Sequence, residues 1–171
     1  MFTAATGINQ VAYVTRDLEA SISWWTETLG VGPFMLLRDI TFDSSDYLGE
    51  DRVVTYSAAV SYSGDTCIEL IEPNGPSIFS DWLEQGRSGV QHLCVFSSDF
   101  NQTADDLVGR GGKRIQGGQI GEDKLAYFLF EGEQDVVMEV ACLSEGVSSM
   151  FDAVKKAAAQ WDGKQRIFHH A

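Results

Sequence analysis

Four polar side chains interrupt segments of this 171-residue chain that are otherwise apolar: Gln10 in INQVAYV, Glu69 in CIELI, His92 in VQHLCVF and Glu139 in VVMEVAC. Strand side chains alternate between faces, so a polar residue flanked by residues that favour burial is drawn inward with them. A glutamate buried alone would carry a heavy desolvation cost or take up a proton. Two carboxylates, an imidazole and an amide oxygen together form an oxygen and nitrogen donor set that suits a hard or borderline divalent cation, and such an ion cancels the two carboxylate charges. The set does not select among zinc, nickel, cobalt, manganese and magnesium. Taken singly, each residue has an ordinary role open to it. Gln10 could satisfy a backbone group, His92 could be a hydrogen-bonded core histidine, and Glu69 could be an edge-strand carboxylate, with Glu72 off its face and reaching solvent.

What binds the four together is a repeat. At an offset of 82 residues QVAYVTRDLEAS falls on HLCVFSSDFNQT, placing Gln10 on His92, Asp17 on Asp99 and Gly30 on Gly112. In each copy an apolar strand ends in polar residues, an Asp suited to cap a helix follows, and a Gly closes the helix thirteen residues later. FMLLRDITF, VVTYSAAVSY and TCIELIE then read as strands in the first half, and KRIQ, KLAYFLF and VVMEVAC in the second. Turn-rich stretches at Asp43 to Asp51, Ser63 to Asp65, Gly117 to Asp123 and 131–134 separate them. Gln10 and His92 lie on the first strand of their half, Glu69 and Glu139 on the last. If the halves pack with pseudo-twofold symmetry, the four converge on one cleft.

The expected fold is α+β, with tandem β-α-β-β-β modules forming paired curved mixed sheets plus a C-terminal helix. The chain reads as one domain over 1–171, comprising a first module at 8–72, a linker helix at 73–89 capped by Ser77 and ended by Gly86, a second module at 90–143, and a C-terminal helix and tail at 144–171. That helix, over about Val147 to Trp161, carries Met150, Phe151, Val154 and Ala158 on one face and is expected on the outside of the sheet.

Hydrophobic residues make up 44% of the chain, enough to fill a core, and the formal charge of −13 opposes unaided binding to nucleic acid or an anionic membrane. No apolar run approaches the roughly 20 residues of a membrane span, and the first residues lack the layout of a secretory signal, so a cytoplasmic location is expected. Cys67, Cys94 and Cys142 form no CxxC pair and read as small buried hydrophobes. A small-molecule substrate and a homodimer are the partners expected.

The segments QVAYVTRDLEASISWWTETLGVGPF, IELIEPNGPSIFSDWLEQGRSGVQHLCVF and VVMEV resemble the strand-helix opening, metal-bearing strand, linker and closing strand of the vicinal oxygen chelate superfamily. That superfamily includes glyoxalase I, methylmalonyl-CoA epimerase, extradiol dioxygenases and bleomycin-resistance proteins. The resemblance implies that its four metal-ligand positions fall on Gln10, Glu69, His92 and Glu139. Gln10 and Gln91 stand where the epimerase branch typically has histidines, and the order Gln, Glu, His, Glu is nearer to glyoxalase I. An extradiol iron site would need a second histidine, such as His169 or His170.

The chemistry the resemblance implies is stabilisation of an enolate-like or other oxyanionic intermediate by chelation to one divalent metal ion. Glu139 and Glu69 are then the expected proton carriers, one on each face of the substrate, which suits an isomerase, epimerase or lyase. Phe34, Tyr47, Tyr56 and Tyr127 are expected around an apolar or aromatic substrate, and Asp43 to Asp51 reads as a loop that could cover it. The alternative is a non-catalytic protein that sequesters an aromatic ligand; such binders generally dispense with the metal ligands.

Overall fold

The computed structural model describes residues 7–132 and 135–168. The first half runs β1 (Gln10–Val14), α1 (Leu18–Leu29), β2 (Phe34–Thr41), β3 (Ser44–Tyr47), β4 (Glu50–Asp51), β5 (Thr55–Ser63) and β6 (Thr66–Pro73). A short helix, α2 (Ile78–Glu84), leads to β7 (Val90–Phe96), α3 (Phe100–Gly109), β8 (Lys113–Ile120), β9 (Asp123–Phe130) and β10 (Val136–Cys142). Helix α4 (Glu145–Ala159) and a two-residue strand, β11 (Ile167–Phe168), complete the described chain.

All strands join one mixed sheet in the order β11-β2-β5-β6-β1-β7-β10-β9-β8-β3-β4. Within it β2-β5-β6-β1 mirrors β8-β9-β10-β7, and the halves meet where β1 and β7 run antiparallel. The strands bearing the four polar residues are therefore the central four, β6, β1, β7 and β10. Their backbone pairing places Ala12 opposite both Glu69 and His92.

Helix starts follow the chemistry of unsatisfied backbone N–H groups. Asp17 accepts from Ala20 N and Asp99 from Gln102 N, each 2.9 to 3.0 Å, and Gly30 ends α1 in the left-handed conformation. In the second copy Gly111 takes the positive φ, while Gly112 is a close-approach position where a Cβ would meet the Phe130 ring at 2.8 Å. Glu72 does not simply reach solvent; its Oε2 accepts from Leu18 N at 2.7 Å, adding an anion at the start of α1.

One sheet face packs on α1 and α3, with Leu18 and Ile22 against Phe34, Ile68 and Leu70, and Leu107 against Val95, Phe128 and Val140. Alternation turns Gln10, Glu69, His92 and Glu139 to the other face, which curls around a cavity lined from β1, β2 and β5 to β10. α2 plugs one end of that hollow: Ile78 and Phe79 are buried with Tyr56, Ile71 and Tyr127.

Three expectations about the periphery change. Asp43 to Asp51 is not a free loop: β3 and β4 form a hairpin, and β3 crosses to pair with β8, Ser44 opposite Gln119 and Tyr47 opposite Gln116. Correspondingly the strand begun by KRIQ continues through Gly117 to Ile120, and Asp123 already starts β9. Helix α4 lies over the hollow instead of on the outer face, with Val154 buried beside Met35, Val60 and Cys67. The tail after it adds β11 alongside β2. Among the described residues no helix is long and apolar enough to cross a membrane.

Candidate functional site

The centre of the hollow is a cluster of three groups from three strands. Ligand-capable atoms of Glu69, His92 and Glu139 all lie within 4.8 Å of one another. His92 Nε2 is 3.0 Å from Glu139 Oε2 and 3.6 Å from Glu69 Oε2. The His92 and Glu139 side chains are 0% and 3% exposed, whereas Glu69 keeps 12%. Despite these short distances His92 Nε2 makes no aligned hydrogen bond, and it has no other partner. A buried ring nitrogen left over between two carboxylates fits a shared cation, since all three groups can aim at one point without aiming at one another. A divalent ion of the zinc, nickel, cobalt, manganese or magnesium type matches this donor set.

Gln10 joins the cluster through Glu69: its Nε2 donates to Glu69 Oε2 at 2.5 Å. Turning the amide over would present Oε1 to the same region, so the residue can either steady Glu69 or serve as a neutral ligand. On the other side of the ring, His92 Nδ1 meets Gln91 Oε1 at 2.6 Å. The family resemblance marks Gln91 as a place where the epimerase branch typically has a histidine, but does not show its contact with the ring.

Electrostatics follow from packing three ionisable groups in a dry place. Burial pushes the Glu69 carboxyl above its ordinary range, partly offset by the nearby His92 ring, while the Glu139 charge adds to the rise. For His92 burial alone would lower the value, but the close carboxylates of Glu139 and Glu69 outweigh it and hold the imidazole up at about 9. Burial, then the same carboxylates, pushes the Cys94 thiol up, so Cys94 is an un-ionised wall of the site. Cys67, raised mainly by burial, behaves alike.

Aromatic rings back the imidazole. His92 packs edge-on against Tyr127 at 5.2 Å and near Phe79 at 6.2 Å, and Phe79 in turn touches Tyr56 at 5.3 Å. The residues expected around substrate divide. Tyr56 lines the cavity, and Tyr127 supports His92 from behind. Phe34 lies on the opposite face beneath α1, because its register points it at Leu18 and Ile22. Tyr47 belongs to β3, where its hydroxyl bonds to Asp81, away from the cavity. His169 and His170 lie outside the described residues.

The cavity over the cluster has a volume of about 220 Å³. Gln10, Glu69, Glu139 and Asp123 supply its polar groups; Leu37, Ile40, Val60, Phe96 and Leu125 supply apolar walls. Val147, Met150 and Phe151 of α4 form the roof. Sequence reasoning found Met150 and Phe151 on one helix face but not what that face covers, and it did not single out Asp123, whose Oδ1 accepts from Ser144 N at 2.5 Å.

Residues 9–130 match the family model of the glyoxalase/bleomycin resistance protein/dioxygenase superfamily. A 2-epi-5-epi-valiolone epimerase from Actinomyces sp is 27% identical over 134 residues, covering 72% of this chain and 73% of that protein. Among solved structures, methylmalonyl-CoA epimerase from Mycobacterium tuberculosis superposes with a TM-score of 0.62 at 17% identity, covering 87% of this chain and 95% of that one. A Streptomyces coelicolor methylmalonyl-CoA epimerase variant in complex with 2-nitronate-propionyl-CoA superposes at 0.55 and 17% identity, covering 83% and 97%. At such identities the structural likeness speaks for the fold, while the family match spans most of the chain and includes three of the four strands that carry the central polar residues. The chain belongs to the glyoxalase/bleomycin resistance protein/dioxygenase superfamily.

Proposed function

We propose that this protein is a divalent-metal-dependent isomerase, an epimerase in particular, that moves a proton at a carbon next to a carbonyl of a small, ring-sized substrate. The observation that carries this reading is the buried Glu69–His92–Glu139 cluster opening into a small cavity. Glu69, His92 and Glu139 would hold the ion, with Gln10 as a fourth, neutral donor. A cation bound there supplies Lewis acidity, which lowers the cost of negative charge growing on a carbonyl oxygen.

The protein groups do the rest. Glu69 and Glu139 both face the cavity and come from different halves of the sheet, so one can accept a proton and the other return it. Burial raises the Glu69 carboxyl in the direction that favours proton exchange near neutral pH. The α4 roof and apolar walls exclude water that would compete for the carbanion.

Size and charge narrow the substrate. The cavity is below the roughly 300–1,000 Å³ typical of pockets for drug-sized ligands. Three carboxylates and no lysine or arginine line it, which repels phosphate. Of the scattered basic residues, Arg38, Arg52, Lys113 and Arg114 pair with Glu19, Glu50, Glu131 and Asp46, and Arg87 lies over the Trp82 ring. These features support a small cyclic ketone, in line with the 27% identical valiolone epimerase, over a CoA thioester.

The test is metal analysis of purified protein before and after chelation, followed by incubation of cyclic ketones in deuterated water. About one divalent ion per chain and metal-dependent deuterium uptake next to the carbonyl are expected. No bound metal, and no change in Tm on adding any, would sink the enzyme reading and leave a ligand-sequestering protein.

A further inference from the structure

Neighbouring residues on a regular strand point to opposite faces, yet Gln91 and His92 touch through their side chains. The reason lies in the β1–β7 ladder. Gln10, Val11 and Ala12 pair in step with Cys94, Leu93 and His92, but Tyr13 pairs with Val90, so Gln91 is an extra residue with no partner across the ladder. Such bulges rotate a side chain away from strict alternation. Here the rotation brings the Gln91 amide oxygen to 2.6 Å from His92 Nδ1, with Gln91 4% and His92 1% exposed.

A carboxamide oxygen can only accept, so the nitrogen facing it must carry a proton. That leaves Nε2 of the neutral ring without one. Nε2 is also the nitrogen that faces Glu69 and Glu139 and lacks an aligned partner. We infer that Gln91 is a positioning residue: placed by the β-bulge in β7, its side-chain oxygen fixes the His92 tautomer and ring angle so that Nε2 is the metal-binding nitrogen.

This inference rests on the proposed metal site and adds to it a residue that neither binds the ion nor meets substrate. The carboxamide is a weaker acceptor than the carboxylate often found behind a ligating histidine, so replacing it with one should preserve the function. Removing the acceptor should not.

Three proteins test it: the wild type, Gln91→Glu and the nearly isosteric Gln91→Met. Metal-free samples are titrated with zinc against a chromophoric chelator, and the zinc-loaded forms are studied by nitrogen-proton NMR of the imidazole. Wild type and Gln91→Glu should bind alike and show His92 protonated on Nδ1, with that proton slow to exchange. Gln91→Met should bind roughly 10–100-fold more weakly, the range typical for loss of a group that supports a ligand, and its Nδ1 proton should exchange fast. An Nε2 proton in zinc-loaded wild type, or unchanged affinity and exchange in Gln91→Met, overturns the inference while leaving the metal site standing. The wild-type spectrum decides the question even if a variant fails to fold. A wild-type chain that takes up no zinc overturns both readings.

Discussion

The two halves of the sheet share a topology but contribute unlike chemistry. From the second half come His92 and Glu139, both sealed from solvent, with His92 braced by Gln91 and by the Tyr127 ring. From the first come Glu69, partly exposed, and Gln10, a neutral amide that bonds to Glu69 instead of facing the histidine directly. Equivalent strand positions have thus diverged: Gln10, His92 and Glu139 are sealed, and Glu69 keeps some exposure. Duplication provides the symmetry of a site; burial sets its members apart.

The comparison is broken most directly by exchanging each carboxylate for its amide. Glu139→Gln should reduce turnover by about 10²–10⁴-fold, the range for losing a positioned acid or base, and also weaken metal retention, because it removes the buried charge. Glu69→Gln should cut turnover comparably yet retain more metal, since its partly exposed position makes the lost charge easier to replace by water. Metal content and turnover measured on the same samples separate the two. Equal metal loss in both variants would erase the distinction between the sealed and the part-exposed carboxylate.

A smaller effect concerns pH. In metal-free protein His92 is held at about 9 against an ordinary 6.5, so the folded state binds its proton more tightly than the unfolded state. The stability this contributes is fully present below pH 6.5 and is lost as pH rises through about 9. Glu69, raised by burial, acts in the same sense, its contribution fading as pH climbs above the ordinary carboxylate range. Metal requires the deprotonated ligands, so the gain in Tm on saturation with metal should grow over that interval while the metal-free Tm falls. Melting curves across pH 6 to 9.5, with and without the ion, read both slopes; parallel curves would remove the charge cluster as their origin.

The smallest effect lies at the helix starts. Asp99→Ala should cost about 1 kcal/mol, a usual value for losing an N-cap. Asp17→Ala should cost less, because Glu72 still offers a carboxylate to the first turn of α1. Denaturant titration of both variants gives the order.

Much of the site was legible in the sequence, and the reason is local. An Asp before a helix or a polar residue within an apolar strand announces its environment in a few neighbours, as Asp17, Asp99, Glu69, His92 and Glu139 do. The β3–β8 pairing was not legible, since SSDY has little strand propensity and gains its conformation from a partner about 70 residues away. Even the glycines that read as a turn are explained only by that partner: a Cβ on Gly118 would lie 2.3 Å from Ser44 O. The Gln91 bulge is a property of two paired strands and leaves no mark on either alone. Likewise the apolar stripe of α4 showed a buried face without saying what lay beneath it.

The crossing of β3 to β8 also bears on how the molecule avoids sticking to itself. β3 pairs with Gln116 to Gln119, half of β8, and β11 pairs with Phe34 and Met35 of β2, so among the described residues the strand order ends on strands of two residues each, β4 and β11. An uninterrupted exposed edge of eight residues is a template for another molecule's strand, and each short cap reduces the run with which such a strand could pair. The β3–β4 hairpin therefore also serves as a guard against aggregation by sheet extension.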